Sequence, residues 1–206
     1  MRTILLALAA ACAAFAAETE EYFFGFLESA PNRVTLPKEQ AAEMQSAHIA
    51  HLGAMGQKGV LVCAGPLENG GKLRGILIYK TPTMAEAKAF ADADPAVKAG
   101  QLVSVFYPWT GPKGIGADFM RKFGESGGKM QMKMVKYHLL VTKPGSAKLE
   151  TKALVRGPYR DGDASGEILV VTAAAGDEAK AAAGDAARVS LGWFVAEGVL
   201  PEASEH

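Results

Sequence analysis

Runs of like charge are missing from this sequence. Its 206 residues carry 22 Lys+Arg against 22 Asp+Glu, a formal net charge of zero, and the sequence pI is near 6.9. No basic stripe with interleaved aromatics stands out, so a protein built for nucleic acid or an anionic membrane surface is excluded. Cysteine is nearly absent too: the two present, Cys12 and Cys63, rule out a disulfide scaffold and a cysteine-rich zinc site. No His/Asp/Glu cluster shows metal-ligand spacing. The glycines of Gly111–Gly116 are expected in a connection, outside the strand-to-helix context that a phosphate loop needs. Neither metal nor cofactor is expected. What is present is 49% hydrophobic residues with only 8% aromatics, the composition of a globular chain rich in Ala and Gly.

Only the N-terminus carries a long apolar run. Met1-Arg2 starts positive, Thr3–Phe15 is apolar or small, Ala14-Phe15-Ala16 is a small-x-small site, and Glu18, Glu20 and Glu21 follow. That order predicts a secretory signal over residues 1–17 and a secreted or periplasmic product with no membrane segment after cleavage. Cys12 would leave with the signal. Ala9, three residues earlier, stands where a lipobox carries Leu. Cys63, within Val60–Ala64, is expected as a buried strand residue.

The remainder divides in two. Tyr22–Leu27 predicts a strand, and Thr35 with Pro37 opens a helix whose Ala41, Met44, His48, Leu52 and Met55 recur at helical spacing. Val60–Ala64 and Gly75–Tyr79 predict a hairpin across Asn69-Gly70-Gly71. Thr83–Glu86 is a capping box opening a second helix, Pro95 interrupts it, and Leu102–Tyr107 closes with a strand. Strand–helix–strand–strand–helix–strand is the ferredoxin-like plan. Residues 111–129 read as a Gly-rich connection holding a short amphipathic piece over Asp118–Phe123.

A weaker copy follows over residues 130–206, beginning with a strand in Met130–Thr142. Gly157-Pro158, Glu167–Val171 and Glu178–Ala181 fall 92 positions after Gly65-Pro66, Gly75–Tyr79 and Glu86–Ala89. Trp193–Val195 is aligned with Leu102–Ser104. Only ten residues separate Thr142 from Ala153, too few for a copy of the His48 helix. The expected fold is α+β: ferredoxin-like βαββαβ units, over 18–110 and 130–206, as two tandem copies forming a pseudo-dimeric α/β barrel in one monomer.

His48 lies on the apolar stripe of its helix, where an imidazole needs a hydrogen-bond partner and is ordinarily a satisfied core residue. Asp94, at the end of the second helix and on the same side of the sheet, is the carboxylate that could orient it; Asp94-Pro95 also suits a helix N-cap. His51 reads as a pocket edge or surface residue and His138 as a strand residue able to face the barrel interior. Arg74 and Arg156 read as solvated, and Tyr107 and Trp109 as core. Met130, Met132 and Met134 form a period-two strand face.

Ala47–Leu52 with Gly59, Ala64-Gly65-Pro66 and Ala91-Asp92-Ala93-Asp94-Pro95 resembles the YCII domain of YciI-like proteins, over about Tyr22–Trp109. The resemblance implies a dimeric α/β barrel related to muconolactone isomerases and a His–Asp pair at the pocket, His48 and Asp94. Activity is known for few such proteins, one a dehalogenase of chlorinated muconolactones. The expectation is an exported acid/base enzyme without cofactor, acting on a small organic molecule by isomerisation, lactone or elimination chemistry. The alternative is a non-catalytic module that binds a small ligand or partner.

Overall fold

The computed structural model describes residues 18–127 and 129–201; the predicted signal and Cys12 lie outside them. Strands β1 (Thr19–Ser29), β2 (Leu61–Pro66), β3 (Leu73–Tyr79) and β4 (Leu102–Pro112) form the first half, with helices α1 (Lys38–Gln57), α2 (Met84–Asp92) and α3 (Pro95–Lys98). Helix α4 (Ala117–Glu125) lies in the connection. Strands β5 (Met134–Thr142), β6 (Val155–Asp161), β7 (Ala164–Thr172) and β8 (Ala187–Ala196), with helix α5 (Gly176–Ala183), complete the chain.

All eight strands join one antiparallel sheet in the order β2-β3-β1-β4-β6-β7-β5-β8. Each half has the same internal order, which is the ferredoxin-like one. The halves join where Trp109 of β4 pairs with Tyr159 of β6. The outer edges meet again at a Leu67–Trp193 bridge and where the Glu68 amide donates to the Gly192 carbonyl at 2.8 Å. The sheet is therefore a nearly closed barrel, and closure removes most of the exposed edge.

Alternation along the strands sorts residues to two sides. Tyr22, Phe24 and Phe26 point into the barrel with Ile76, Ile78, Trp109, Leu139, Val141 and Trp193. Leu27, Leu77 and Tyr79 face outward under α1 and α2, beside Met55, Ala87 and Ala91. Leu140, Leu169 and Val171 face outward under α5, with Ala179 and Ala183. Cys63 is buried in the barrel as expected, and burial pushes its thiol well above its ordinary range.

Local signals mostly act as the residues suggest. Thr83 Oγ1 accepts from the Glu86 amide at 3.2 Å, and Pro95 is the first residue of α3. Thr35 does not cap α1, which starts after Pro37 without a side-chain cap. The hairpin register Cys63–Ile78, Ala64–Leu77, Gly65–Ile76 recurs as Val155–Val170, Arg156–Leu169, Gly157–Ile168. The alignment of β8 needs correction: Trp193 pairs with Tyr137 as Trp109 pairs with Tyr22, so Trp193 is the counterpart of Trp109 rather than Leu102. The link from helix to last strand is shorter in the second half, where the 3-10 turn Gly184–Ala186 stands in place of α3 and Gly100-Gln101.

Candidate active site

Asp94 ends α2 and caps α3. Its Oδ1 accepts from the Ala96 amide at 2.8 Å, as an N-cap carboxylate does ahead of a proline at N1. Its Oδ2 lies 2.7 Å from His48 Nδ1, the side chains being 3% and 12% exposed. Capping and pairing thus use different oxygens of one carboxylate, and neither excludes the other. Because an ionised carboxylate only accepts, the proton sits on Nδ1 and leaves Nε2 with the basic lone pair. The two residues are 46 positions apart in sequence. The fold brings them together by laying α1 and α3 on the same outer side of the sheet.

His51, one turn further along α1, donates from Nε2 to the Phe90 carbonyl at 2.9 Å. That bond ties α1 to α2 and fixes the helix that presents His48. Beneath the pair lies Tyr79, fully buried, its hydroxyl without a hydrogen-bond partner. Burial first and the Asp94 charge second push the phenol above its ordinary range, so it stays protonated. Tyr79 escapes a sequence reading because its only signal is parity: it sits two residues beyond Leu77 and shares its face of β3.

A cavity of about 1030 Å³ borders His48. Its walls include His48, Ile49 and Leu52 of α1, Cys63 and Ala64 of β2, and Phe119 and Phe123 of α4. The helical stripe of α1 accordingly does not fill a core. Of Ala41, Met44, His48, Leu52 and Met55 only Met55 is buried, and the others line the opening. Helix α4 reaches its place because Gly116, at φ +77°, packs on the Val62 carbonyl, where a Cβ would come within 2.1 Å.

Other expected positions fall elsewhere. His138 faces out of the barrel, since its neighbours Leu139 and Val141 occupy the interior. Its Nε2 shares a 2.8 Å hydrogen bond with Ser190 Oγ under α5. Arg156 is not solvated: it forms a two-pronged pair with Glu167 (2.8 and 2.9 Å) and donates to the Leu149 carbonyl at 2.7 Å. Arg74 is exposed but lines the cavity. Met132 and Met134 line it as well, and β5 begins only at Met134, so Met130 and Met132 precede the strand. Among the described residues, no three His, Cys, Asp or Glu are grouped to hold a metal ion.

Compared with known proteins, no curated protein matches the chain. The family described as YCII-related domain matches residues 22–109. That span runs from β1 to β4 and contains both His48 and Asp94. The match supports a YCII-related domain over the first half of the chain.

Proposed function

We propose that the protein is an acid/base enzyme whose base is His48 Nε2, oriented through Nδ1 by Asp94. The observation that carries this reading is the 2.7 Å contact from Asp94 to His48, whose side chain lines a cavity of about 1030 Å³. A neutral imidazole with one nitrogen fixed by a carboxylate can remove a proton from a carbon acid and return it elsewhere. Isomerisation, lactone opening or closure, and elimination all need that step and no cofactor. Tyr79, protonated and beside Asp94, is no competing base.

The reading extends to the whole molecule. The sequence of residues 1–17 supports export to a secreted or periplasmic location. The joining of two ferredoxin-like halves within one chain supports a monomer, in which the second half stands where a partner subunit would. N-terminal sequencing of the exported product and light scattering check these two points. A product that keeps residues 1–17, or an obligate dimer, contradicts them.

The central test is solvent deuterium incorporation. Unsaturated lactones, β-keto acids and halogenated enols are incubated with the protein in deuterium oxide and followed by NMR. Exchange, isomerisation or elimination is expected, and His48→Gln should slow it by about 10²–10⁴-fold with an unchanged melting temperature. Turnover that survives His48→Gln overturns the role given to His48, and binding of these compounds without exchange or turnover favours the non-catalytic module.

A further inference from the structure

The cavity beside His48 is larger and greasier than a small ring compound needs. Its volume of about 1030 Å³ lies at the top of the ~300–1,000 Å³ range of pockets for drug-sized ligands. Among the described residues six large hydrophobic side chains are conspicuously exposed, and three of them, Ile49 (52%), Met132 (58%) and Met134 (46%), line this one cavity. Phe119 and Met120 of α4 add to the same wall. Exposed apolar side chains gathered in one concavity mark a binding surface, and flexible thioethers suit a ligand without a rigid shape.

One end of the cavity is different. Arg33 and Arg74 line it where β1 finishes and β3 begins, two segments joined by the Ser29 amide donating to the Lys72 carbonyl at 2.8 Å. Arg33 reaches only Ser29 Oγ and Arg74 only the Gly71 carbonyl, each at 3.4 Å. Among the described residues no carboxylate pairs with either. The same end is tied to α3, because the Ala30 amide donates to the Gln101 carbonyl at 3.1 Å and the Gln101 amide to the Ala96 carbonyl at 2.9 Å. The two guanidinium groups and the His48–Asp94 pair therefore gather at one end of the sheet, and the apolar wall extends away from it.

We propose that this cavity takes a long-chain carboxylate, its head group held by Arg33 and Arg74 and its chain lying along Ile49, Phe119, Met120, Met132 and Met134. Two cations without acidic partners complement a carboxylate, and guanidinium groups bind one in two-pronged fashion. This assignment rests on the site proposed above and names the ligand class that His48 would meet.

The test is isothermal titration calorimetry of the protein with palmitate, octanoate and hexadecanol, each below its micelle concentration. Palmitate should bind at least about ten-fold tighter than octanoate, because each buried methylene adds affinity. It should also bind about ten-fold tighter than hexadecanol, which lacks the charge. The double variant Arg33→Gln/Arg74→Gln should lose the preference for palmitate over hexadecanol. Met120→Glu, placed on exposed helix α4, should weaken palmitate without lowering the melting temperature. Equal binding of palmitate and octanoate, or an unchanged preference in the double arginine variant, overturns the proposal. His48→Gln separates the two readings, since it should leave palmitate affinity within about three-fold while removing turnover. Palmitate binding with turnover indifferent to His48 leaves this assignment standing and the acid/base reading fallen. Loss of turnover in His48→Gln without palmitate binding gives the reverse.

Discussion

The two halves of the barrel share a strand order and a hairpin register, yet they use the outer face of the sheet differently. In the first half α1 stands over β2 and β3, with most of its inner stripe left open as a cavity wall. In the second half no helix lies between β5 and β6. Arg156 there pairs with Glu167 and pins the segment between those strands through the Leu149 carbonyl. The counterparts of Arg156 and Glu167 in the first half are Ala64 and Gly75, by the matching registers. Small residues leave room for a cavity, and an ion pair fills the place. The sheet interior, which closes the barrel, is common to both halves; the proposed site lies where the cover is loose.

Barrel closure is where the comparison can be broken most severely. A Cβ on Gly65 would meet the Phe194 carbonyl at 1.8 Å, and one on Gly157 would meet the Thr110 carbonyl at the same 1.8 Å. These two glycines hold corresponding places at the two junctions between halves, and backbone cannot step aside as a side chain can. Gly65→Ala and Gly157→Ala should each cost about 3 kcal/mol or more, read by urea unfolding. A cost at only one junction would show that the other half closes independently.

Asp94→Asn tests the asymmetry of function. Asparagine keeps an acceptor for the Ala96 amide, so stability should stay within about 1 kcal/mol of the parent protein. It places an amide against His48 Nδ1 and disfavours the tautomer with a basic Nε2, so turnover should fall by about 10²–10⁴-fold. Asp185 is the nearest analogue in the second half by sequence, but it is exposed in a 3-10 turn. Asp185→Asn should change neither stability nor rate.

Arg156→Ala reverses the roles. It strands Glu167, whose side chain is 14% exposed, and frees the segment after β5. A loss of about 1–3 kcal/mol is expected, with faster amide exchange in residues 143–154 and unchanged turnover. Exchange that spreads to α1 would show the two covers to be coupled.

How much of this was written in the residues follows from the same contrast. The strand order and the two hairpins were readable because periodicity and Gly-Pro placement are local signals that the barrel respects, and His48 and Asp94 stood out through the resemblance and the shared side of the sheet. The cavity was not readable. The stripe on α1 looks the same whether it packs on a core or walls an opening, and only the position of α4, set by Gly116 on Val62, decides between them. Arg156 escaped for a related reason: its partner Glu167 is across a strand pair, a register that sequence spacing alone does not reveal. The face of His138 was not readable because both sides of β5 carry apolar residues, Leu139 and Val141 turning into the barrel and Leu140 turning out under α5.

The barrel's two tryptophans offer a finer comparison. Trp109 Nε1 donates to the Gly157 carbonyl at 3.2 Å, whereas Trp193 Nε1, buried at the other junction, has no partner. Replacing each by Phe creates a similar void, so the difference between the two costs isolates the hydrogen bond. Trp109→Phe should be the costlier by about 0.5–1.5 kcal/mol, measured by urea unfolding. Equal costs would mean that the bond to Gly157 contributes nothing to the junction.

The smallest expected effect lies at His138, which stands by register where the first half has Phe23, with Ser190 in the place of Phe106. Burial lowers the His138 pKa below its ordinary 6.5; the Asp177 carboxylate works against the shift, and Lys180 and Lys136 add to it. A histidine whose folded pKa is depressed binds fewer protons folded than unfolded as pH falls below about 6.5, so stability declines across that window and levels off below the folded pKa. The aromatic pair of the first half has no such dependence. His138→Gln should therefore flatten part of the fall in unfolding free energy between pH 7 and pH 5, the difference from the parent protein being the quantity read, since carboxylates titrate in both. A parallel pair of pH curves would mean that the imidazole is solvated well enough to behave alike folded and unfolded, and that the polar pair under α5 is as inert to pH as the phenylalanines it replaces.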